Sequence, residues 1–274
     1  MVAYRSIVLQ LVASAIATSI VALASPAAAA DPVELRIEVY GFAGFHVLTN
    51  RTRVSASGDQ YSIATDLDTR GLASVFVDLT SHSEVRGRLA QDAVHPDAYH
   101  GEVRRNGNDS RYRIDYRADG TVASDQMPPS PALHSAAAAD QMRGTVDQLT
   151  AFFIIERQLA QRGSCGMVVP VFDGLSRYNL RFTDAQPEML SPEGRQRFAG
   201  RTLVCNIHRE DVVGFPGDQD ANGGTYKRGK IWYARLAGED QMVPVRMEFD
   251  TEYGAVSGYL TELRHRGVNL SFKD

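Results

Sequence analysis

Large apolar side chains recur at every second position in many short segments of this chain. The clearest segment is 111–117, where Tyr112, Ile114 and Tyr116 alternate with charged residues. Because successive side chains of a β-strand point to opposite faces of the sheet, this pattern predicts strands with one buried and one solvated face. Turn sequences rich in Gly, Asn and Asp separate several of these segments at hairpin spacing. The chain is therefore predicted to be mainly β, with a mostly antiparallel sheet.

The same alternation, or a comparable composition, covers most of the chain. The predicted strands are 33–42, 45–55, 60–67, 83–90, 99–105, 111–117, 178–182, 201–208, 229–236, 245–249, 256–264 and 268–272. Segment 72–79 is too short and too uniformly apolar to be assigned to a strand or a helical turn.

One helix is predicted near the middle of the chain. Thr145 and Gln148 form a capping-box pattern at its start, and Arg162 followed by Gly163 suits its end. Segment 151–155 is apolar nearly all round. We therefore expect the middle of this helix to be covered on most sides, with the curved sheet as the cover.

The segment before this helix differs in composition from the rest. Residues 119–142 contain a proline cluster and an alanine run and fit no strand pattern. We predict an exposed crossing between two halves of the chain, which together form one domain over residues 31–274.

The first thirty residues have the features of an export signal. An uncharged apolar stretch covers 7–24, and Ala28 and Ala30 offer small-residue cleavage positions before Asp31. A periplasmic mature protein beginning at Asp31 is therefore expected. A non-cleaved membrane anchor is the alternative, because the apolar stretch approaches the roughly 18 residues needed to span a bilayer. No comparable stretch follows, so we expect no transmembrane segment in the mature chain.

Charge and cysteine content narrow the class further. The formal net charge of −4 argues against nucleic acid as a partner. The two cysteines, Cys165 and Cys205, lie in a chain expected to be exported, where an oxidising compartment favours pairing. We expect one disulfide; two unpaired buried thiols are the alternative.

No residue pattern for catalysis or metal binding stands out. Segment 174–178 lacks the second glycine of a nucleophile elbow. The densest histidine group is His82, His95 and His100, and its spacings do not place two ring nitrogens on one strand face or one helical face. His208 alternates with apolar neighbours and should face solvent. We therefore predict no catalytic residue, no metal and no cofactor.

One segment partly matches a calcium-binding loop. Asp218, Asp220 and Asn222 precede Gly223 with the spacing of the first half of such a loop, but the position that should supply a bidentate carboxylate is Gly229. A polar hairpin turn is the preferred interpretation, and calcium binding at Asp218–Asn222 stays open.

Several motifs resemble one protein family. Segment 165–182, with the sequence CGMVVPVFDGLSRYNLRF, resembles the signature of the family known as domain of unknown function 3108. Segment 144–149 is similar to the start of that family's helix, although Gln148 stands where a proline is more usual. Weaker similarities lie in 40–45, 59–63, 69–72 and 205–215, so that most of residues 35–262 are covered.

This resemblance implies a bacterial envelope protein. The implied fold is a strongly curved antiparallel sheet, a β-spiral or half-barrel wrapped around one central α-helix, similar to lipoprotein-carrier folds and an envelope-integrity β-spiral family. The resemblance implies no established catalytic residue. Within the signature, Asp173 and Gly174 are interpreted as a tight turn before Arg177 and Tyr178. The alternative is that Asp173 and Arg177 line a cleft.

Two classes of function are compatible with these observations. The first is a non-enzymatic periplasmic protein that acts as a scaffold or binding module in envelope integrity, with an envelope protein or polymer as partner. A variant of it is a carrier or sensor of a lipid or other apolar ligand, because a half-barrel around a helix can leave an apolar groove. The second class is a periplasmic hydrolase whose His and Asp residues meet only on folding.

Overall fold

The computed structural model describes most of the chain from Asp31 onward. The described residues are 31–41, 44–69, 78–90, 93–129, 139–174, 176–213, 226–236, 241–251 and 254–272, and only the backbone is described at 139 and 140. The predicted export signal, with Ala28 and Ala30, lies outside these residues, as do the candidate calcium loop and most of segment 72–79.

Strands make up most of the described structure. They are β1 (Val33–Tyr40), β2 (His46–Ser57), β3 (Gln60–Thr69), β4 (Leu79–Ala90), β5 (Ala93–Arg105), β6 (Asn108–Tyr116), β7 (Val122–Met127), β8 (Met167–Phe172), β9 (Arg177–Leu190), β10 (Gly200–Val213), β11 (Arg228–Ala234), β12 (Val243–Thr251), β13 (Gly254–His265) and β14 (Val268–Ser271). A single helical turn, α1 (Ala139–Met142), and a 15-residue helix, α2 (Gln148–Arg162), lie between β7 and β8.

All fourteen strands belong to one antiparallel sheet. Their order is β7-β6-β5-β4-β3-β2-β1-β13-β12-β11-β10-β9-β8, with β14 paired to β13. Strand β1 pairs with β2 on one side and β13 on the other, so it joins the strands that precede α2 to those that follow it. Within the described residues β7 and β8 do not pair with each other, and the sheet is therefore open.

The alternating pattern located most strands correctly. In β9, Tyr178, Leu180 and Phe182 are at most 1% exposed, as the pattern predicted. The pattern holds in part around β14: Leu270 and Phe272 pack against the core, whereas Val268 is 45% exposed. This short strand pairs with β13 along one edge only, which leaves Val268 at its start little of the sheet to pack against.

Strand β7 corrects the prediction that segment 119–142 contains no strand. Residues 122–127 pair with β6 along their whole length, and Val122 is buried. The remaining side chains are mostly polar and partly or fully exposed, because this is an edge strand that another strand covers on one side only. Backbone hydrogen bonds to β6, rather than burial of apolar side chains, hold this strand in place. The sequence therefore shows no apolar alternation here, and the strand was not predicted. Residues 130–138 lie outside the described part.

The start of the helix also differs from the prediction. The residue that caps α2 is Asp147, whereas the Thr145 hydroxyl donates a hydrogen bond to the carbonyl of Met142. An aspartate two residues after the threonine offers a charged acceptor to the helix amides, and it takes the cap position. The predicted end is correct, since Gly163 adopts a left-handed conformation directly after Arg162.

The two cysteine sulfurs lie at disulfide distance, 2.06 Å apart. Cys165 precedes β8 just after the end of α2, and Cys205 lies in β10; both side chains are buried. The pair therefore links the segment between α2 and β8 to β10, which lies two positions from β8 in the sheet. Separately, the described residues include no helix that is long and apolar enough to span a membrane.

We expect the Cys165–Cys205 bond to contribute substantially to stability. A crosslink across a sequence separation of 40 residues lowers the entropy of the unfolded chain and stabilises the fold by about 4 kcal/mol. The double variant C165A/C205A should therefore unfold at a clearly lower urea concentration than the oxidised parent. Reduction of the parent should give a similar decrease and leave the variant unaffected. Identical unfolding curves for oxidised and reduced parent would contradict the bond.

Candidate binding groove beside the helix

The N-terminal end of α2 is a buried polar centre. Asp147 accepts hydrogen bonds from the backbone N–H of Thr150 at 2.9 Å and from the Thr150 hydroxyl at 2.7 Å. The Tyr61 hydroxyl of β3 lies 2.9 Å from the same Thr150 oxygen. Burial raises the pKa of Asp147 to about 6. These bonds fix the start of the helix against β3.

Aromatic contacts hold the middle of the helix from two directions. Phe153 stacks on Tyr61 of β3 with ring centroids 5.1 Å apart, and Phe152 meets the edge of Phe182 in β9 at 6.3 Å. The helix also contacts β5 and β8. Residues Ala151 and Ile155 are fully buried. The helix thus touches strands from both halves of the sheet.

One side of α2 borders a groove of about 250 Å³. Its apolar lining consists of Val94 in β5, Ile154 in α2 and Met167 at the start of β8. Its polar lining comes from helix residues at spacings of three and four, which are Arg157, Gln158, Gln161 and Arg162. Ala93 also lines the groove. The groove therefore combines an apolar surface with two positive charges.

Many arginines of the described structure form ion pairs, and the two that line the groove do not. Arg157 is half-buried and Arg162 is exposed, and within the described residues neither forms an ion pair. By contrast, Arg113 lies 2.7 Å from Asp115, and Arg181 lies 2.6 Å from Glu210. A partly buried guanidinium without a counter-ion is unfavourable unless a ligand or water satisfies it. As far as the described residues go, the groove thus carries positive charge that no acidic side chain pairs with.

The signature residues Asp173 and Gly174 form the connection between β8 and β9. The backbone N–H of Ser176 donates to the Asp173 carboxylate at 2.7 Å. Gly174 has a φ of 94°, in the left-handed region that residues with a Cβ avoid. Asp173 and Arg177 do not line the groove.

The other two signature residues, Arg177 and Tyr178, begin β9. Arg177 donates a hydrogen bond to the carbonyl of Gln141 at 3.2 Å and so ties the strand to α1. Tyr178 is buried, with the guanidinium carbon of Arg209 at 3.6 Å from its ring centroid. A nitrogen of Arg209 also lies 4.0 Å from the Asp173 carboxylate. Arg209, which the sequence analysis did not identify, therefore connects the turn to β10.

The predicted histidine group lies on the exposed face of β4 and β5. His82 is 2.7 Å from the carboxylate of Asp66, and His95 and His100 are exposed. Among the described residues, no three His, Cys, Asp or Glu side chains are placed to hold a metal ion. His208 is exposed, as its alternation predicted.

A larger hollow of about 460 Å³ lies over β3 to β6 and includes His82. Its charged side chains have partners within the protein. Arg111 is 3.3 Å from Glu102, and Arg104 is 3.9 Å from Asp109. The groove beside α2 is therefore the better candidate for a binding site, because no acid in the described part of the chain pairs with its arginines.

Sequence reasoning did not find the groove. Val94 and Met167 are distant in the chain and meet only because the fold brings β5 and β8 to the same side of α2. The helix sequence did carry one sign of a surface groove. Ile154 is an apolar residue at helical spacing from Arg157, Gln158 and Arg162, so it interrupts an otherwise polar face of the helix.

The open antiparallel sheet and its single long helix define a mainly β protein with a candidate ligand groove. The chain belongs to the family described as "Protein of unknown function (DUF3108)", whose model matches residues 36–261. The resemblance drawn from the signature motif is thereby confirmed. The matched range includes the groove, the cysteine pair and the turn at Asp173.

One solved structure shows a similar fold. The crystal structure of the beta-barrel-like protein of domain of unknown function DUF1849 from Brucella abortus matches with a TM-score of 0.50 and 11% identity, over 87% of this chain and 99% of that chain. At this identity the likeness concerns the fold alone. Among curated proteins no match is found.

A buried acid lies on another side of α2. Glu156 is 8% exposed, and burial raises the pKa of its carboxyl to about 8 despite the nearby Gln241 amide. The folded protein therefore holds this proton at pH values where the unfolded chain has lost it. The free energy of unfolding should fall as pH rises between about 4.5 and about 8, the values for the unfolded and folded states.

The variant E156Q should reduce this pH dependence. Glutamine has a similar shape and does not ionise, so the variant should be more stable than the parent at the upper end of that range by a few kcal/mol, at about 1.4 kcal/mol per pKa unit. Urea unfolding across the range measures the effect. The exposed Glu102→Gln substitution is the control and should leave the slope unchanged. The same slope in parent and E156Q would refute the assignment.

Proposed function

We propose that this chain is a non-enzymatic protein of the bacterial periplasm that serves as a binding module or scaffold in the cell envelope. The observation that carries this proposal is the groove beside α2, where Arg157 and Arg162 line an apolar surface without forming ion pairs to described residues. Ligand sites commonly combine an apolar lining with a few polar groups. The partner would be an envelope protein or polymer that brings negative charge to the groove.

The periplasmic location is supported by two features. The sequence before Asp31 has the layout of an export signal. The cysteine pair at disulfide distance suits an oxidising compartment, because cytosolic reductants keep most thiols free.

The proposal includes the shape of the sheet, a β-spiral or half-barrel around α2. Contacts of α2 with β3, β5, β8 and β9 support it, since β3 and β5 lie far from β8 and β9 in the strand order. A sheet that twists in the usual right-handed sense can bring distant strands to one helix.

A second candidate function is a carrier or sensor of a lipid or another apolar ligand in the same groove. The apolar surface formed by Val94, Ile154 and Met167 favours it. Hydrolysis receives less support: His82 is paired with Asp66, but among the described residues no hydrogen bond joins its ring to a serine or threonine hydroxyl, and His95 and His100 are exposed.

Photo-crosslinking in intact cells tests the binding proposal. A photoreactive phenylalanine analogue at Gln161, on the rim of the groove, should give a defined adduct in the mass spectrum of the purified protein. The same analogue at Gln186, an exposed glutamine in β9 outside the groove, is the matched control and should give none. Equal labelling at both positions, or no adduct at Gln161, would contradict a binding role for the groove.

Cell fractionation tests the compartment. We expect the protein in the periplasmic extract with Asp31 as its first residue, because the small residues Ala28 and Ala30 suit signal peptidase. The N-terminal peptide, identified by mass spectrometry, checks this. A full-length chain in the cytoplasm, or one retained in the membrane fraction, would contradict it.

A further inference from the structure

We propose that the groove binds an anionic amphiphile: one alkyl chain lies against Val94, Ile154 and Met167, and an acidic head group is held by Arg157 and Arg162. This proposal rests on the proposed binding function and names the class of ligand. The head group is a carboxylate or a phosphate, as in a fatty acid or a phospholipid.

The size of the groove limits what it can accept. Its volume of about 250 Å³ is slightly below the range of about 300–1,000 Å³ that is usual for small-molecule pockets. The neighbouring face of the helix belongs to the packed core, since Ile155 and Leu159 are fully buried in it. The groove therefore takes part of a single alkyl chain and leaves the head group at the surface.

The position of the charges determines the sign of the head group. Arg157 is half-buried beside the apolar surface, with its guanidinium carbon 5.8 Å from the ring centroid of Phe153. Arg162, in the last turn of α2, adds a second positive charge at the same groove. Guanidinium groups bind carboxylate and phosphate oxygens through paired hydrogen bonds. A ligand with an acidic head would bring these arginines the counter-ion that the described residues do not supply.

An extended peptide fits the site less well. A peptide would add to the free edge of β8, but Val146 already occupies part of that edge: its N–H donates to the Pro170 carbonyl at 3.0 Å, and its carbonyl accepts from Phe172 at 2.9 Å. Pro170 has no N–H to offer. Only the first part of β8, around Val168, retains a free edge, which is too short for a paired strand.

Binding measurements on the delipidated mature protein test the proposal, with decanoate, decyl phosphate and the uncharged decanol as probes. We expect both acids to bind in calorimetry and decanol to bind much more weakly. A preference for decanoate indicates a fatty acid and a preference for decyl phosphate a phospholipid; either supports the proposal. Equal binding of all three probes, or no binding of the acids, overturns it.

Variants locate the site. R157Q should weaken binding of the acids about tenfold or more, because a hydrogen bond to a charged group is lost. R157K should retain part of the affinity. R113Q, which removes an ion-paired arginine outside the groove, should bind like the parent.

M167Q should weaken binding of the alkyl chain. Urea unfolding of each variant confirms that it is folded, and unchanged affinity in R157Q and M167Q overturns the assignment.

The two proposals fail separately. If the analogue at Gln161 forms adducts with a protein in cells while the purified protein binds neither acid, the binding function holds and the amphiphile is refuted in favour of a protein partner. If adducts and acid binding are both absent, both proposals are refuted.

Discussion

The double pairing of β1 is the constraint on which the architecture depends. This strand forms hydrogen-bonded ladders with β2 on one side and β13 on the other, and it joins β2–β7 and the later strands into one sheet. Without it the strands would form two separate sheets, each with an additional exposed edge. Strands from both of the halves that β1 connects contact α2, and the groove lies between β5, α2 and β8.

The helix fits into this arrangement through two different kinds of interaction. At its start, Asp147, Thr150 and Tyr61 form hydrogen bonds in a buried setting, which fixes position and direction. Along its middle, Phe152 and Phe153 supply less directional apolar contacts. At the other end, Arg162 is exposed beside the groove, and the Cys165–Cys205 pair links the exit of the helix to β10.

Much of the fold could be predicted from the sequence, whereas the groove could not. Alternation located most strands, because burial of one face requires it, and Gly163 marked the end of the helix. Strand β7 was missed since its polar side chains carry no alternation signal, and the cap was placed at Thr145 because a capping-box pattern ignores the competing Asp147. The groove joins Val94 to Met167 through tertiary packing, which local patterns do not encode. Whether Arg157 has an ion pair likewise depends on which acids the fold brings near, and the described residues place none beside it.

The two ends of the open sheet bear on how copies of this protein behave toward one another. Exposed strand edges invite pairing with a second chain and are a source of aggregation. At one end, Val146 covers part of β8, and Pro170 removes a donor from it. At the other end, β7 is short and carries Asp125 among polar neighbours. Both ends therefore oppose edge-to-edge polymerisation, and the sheet can stay open without extending from molecule to molecule.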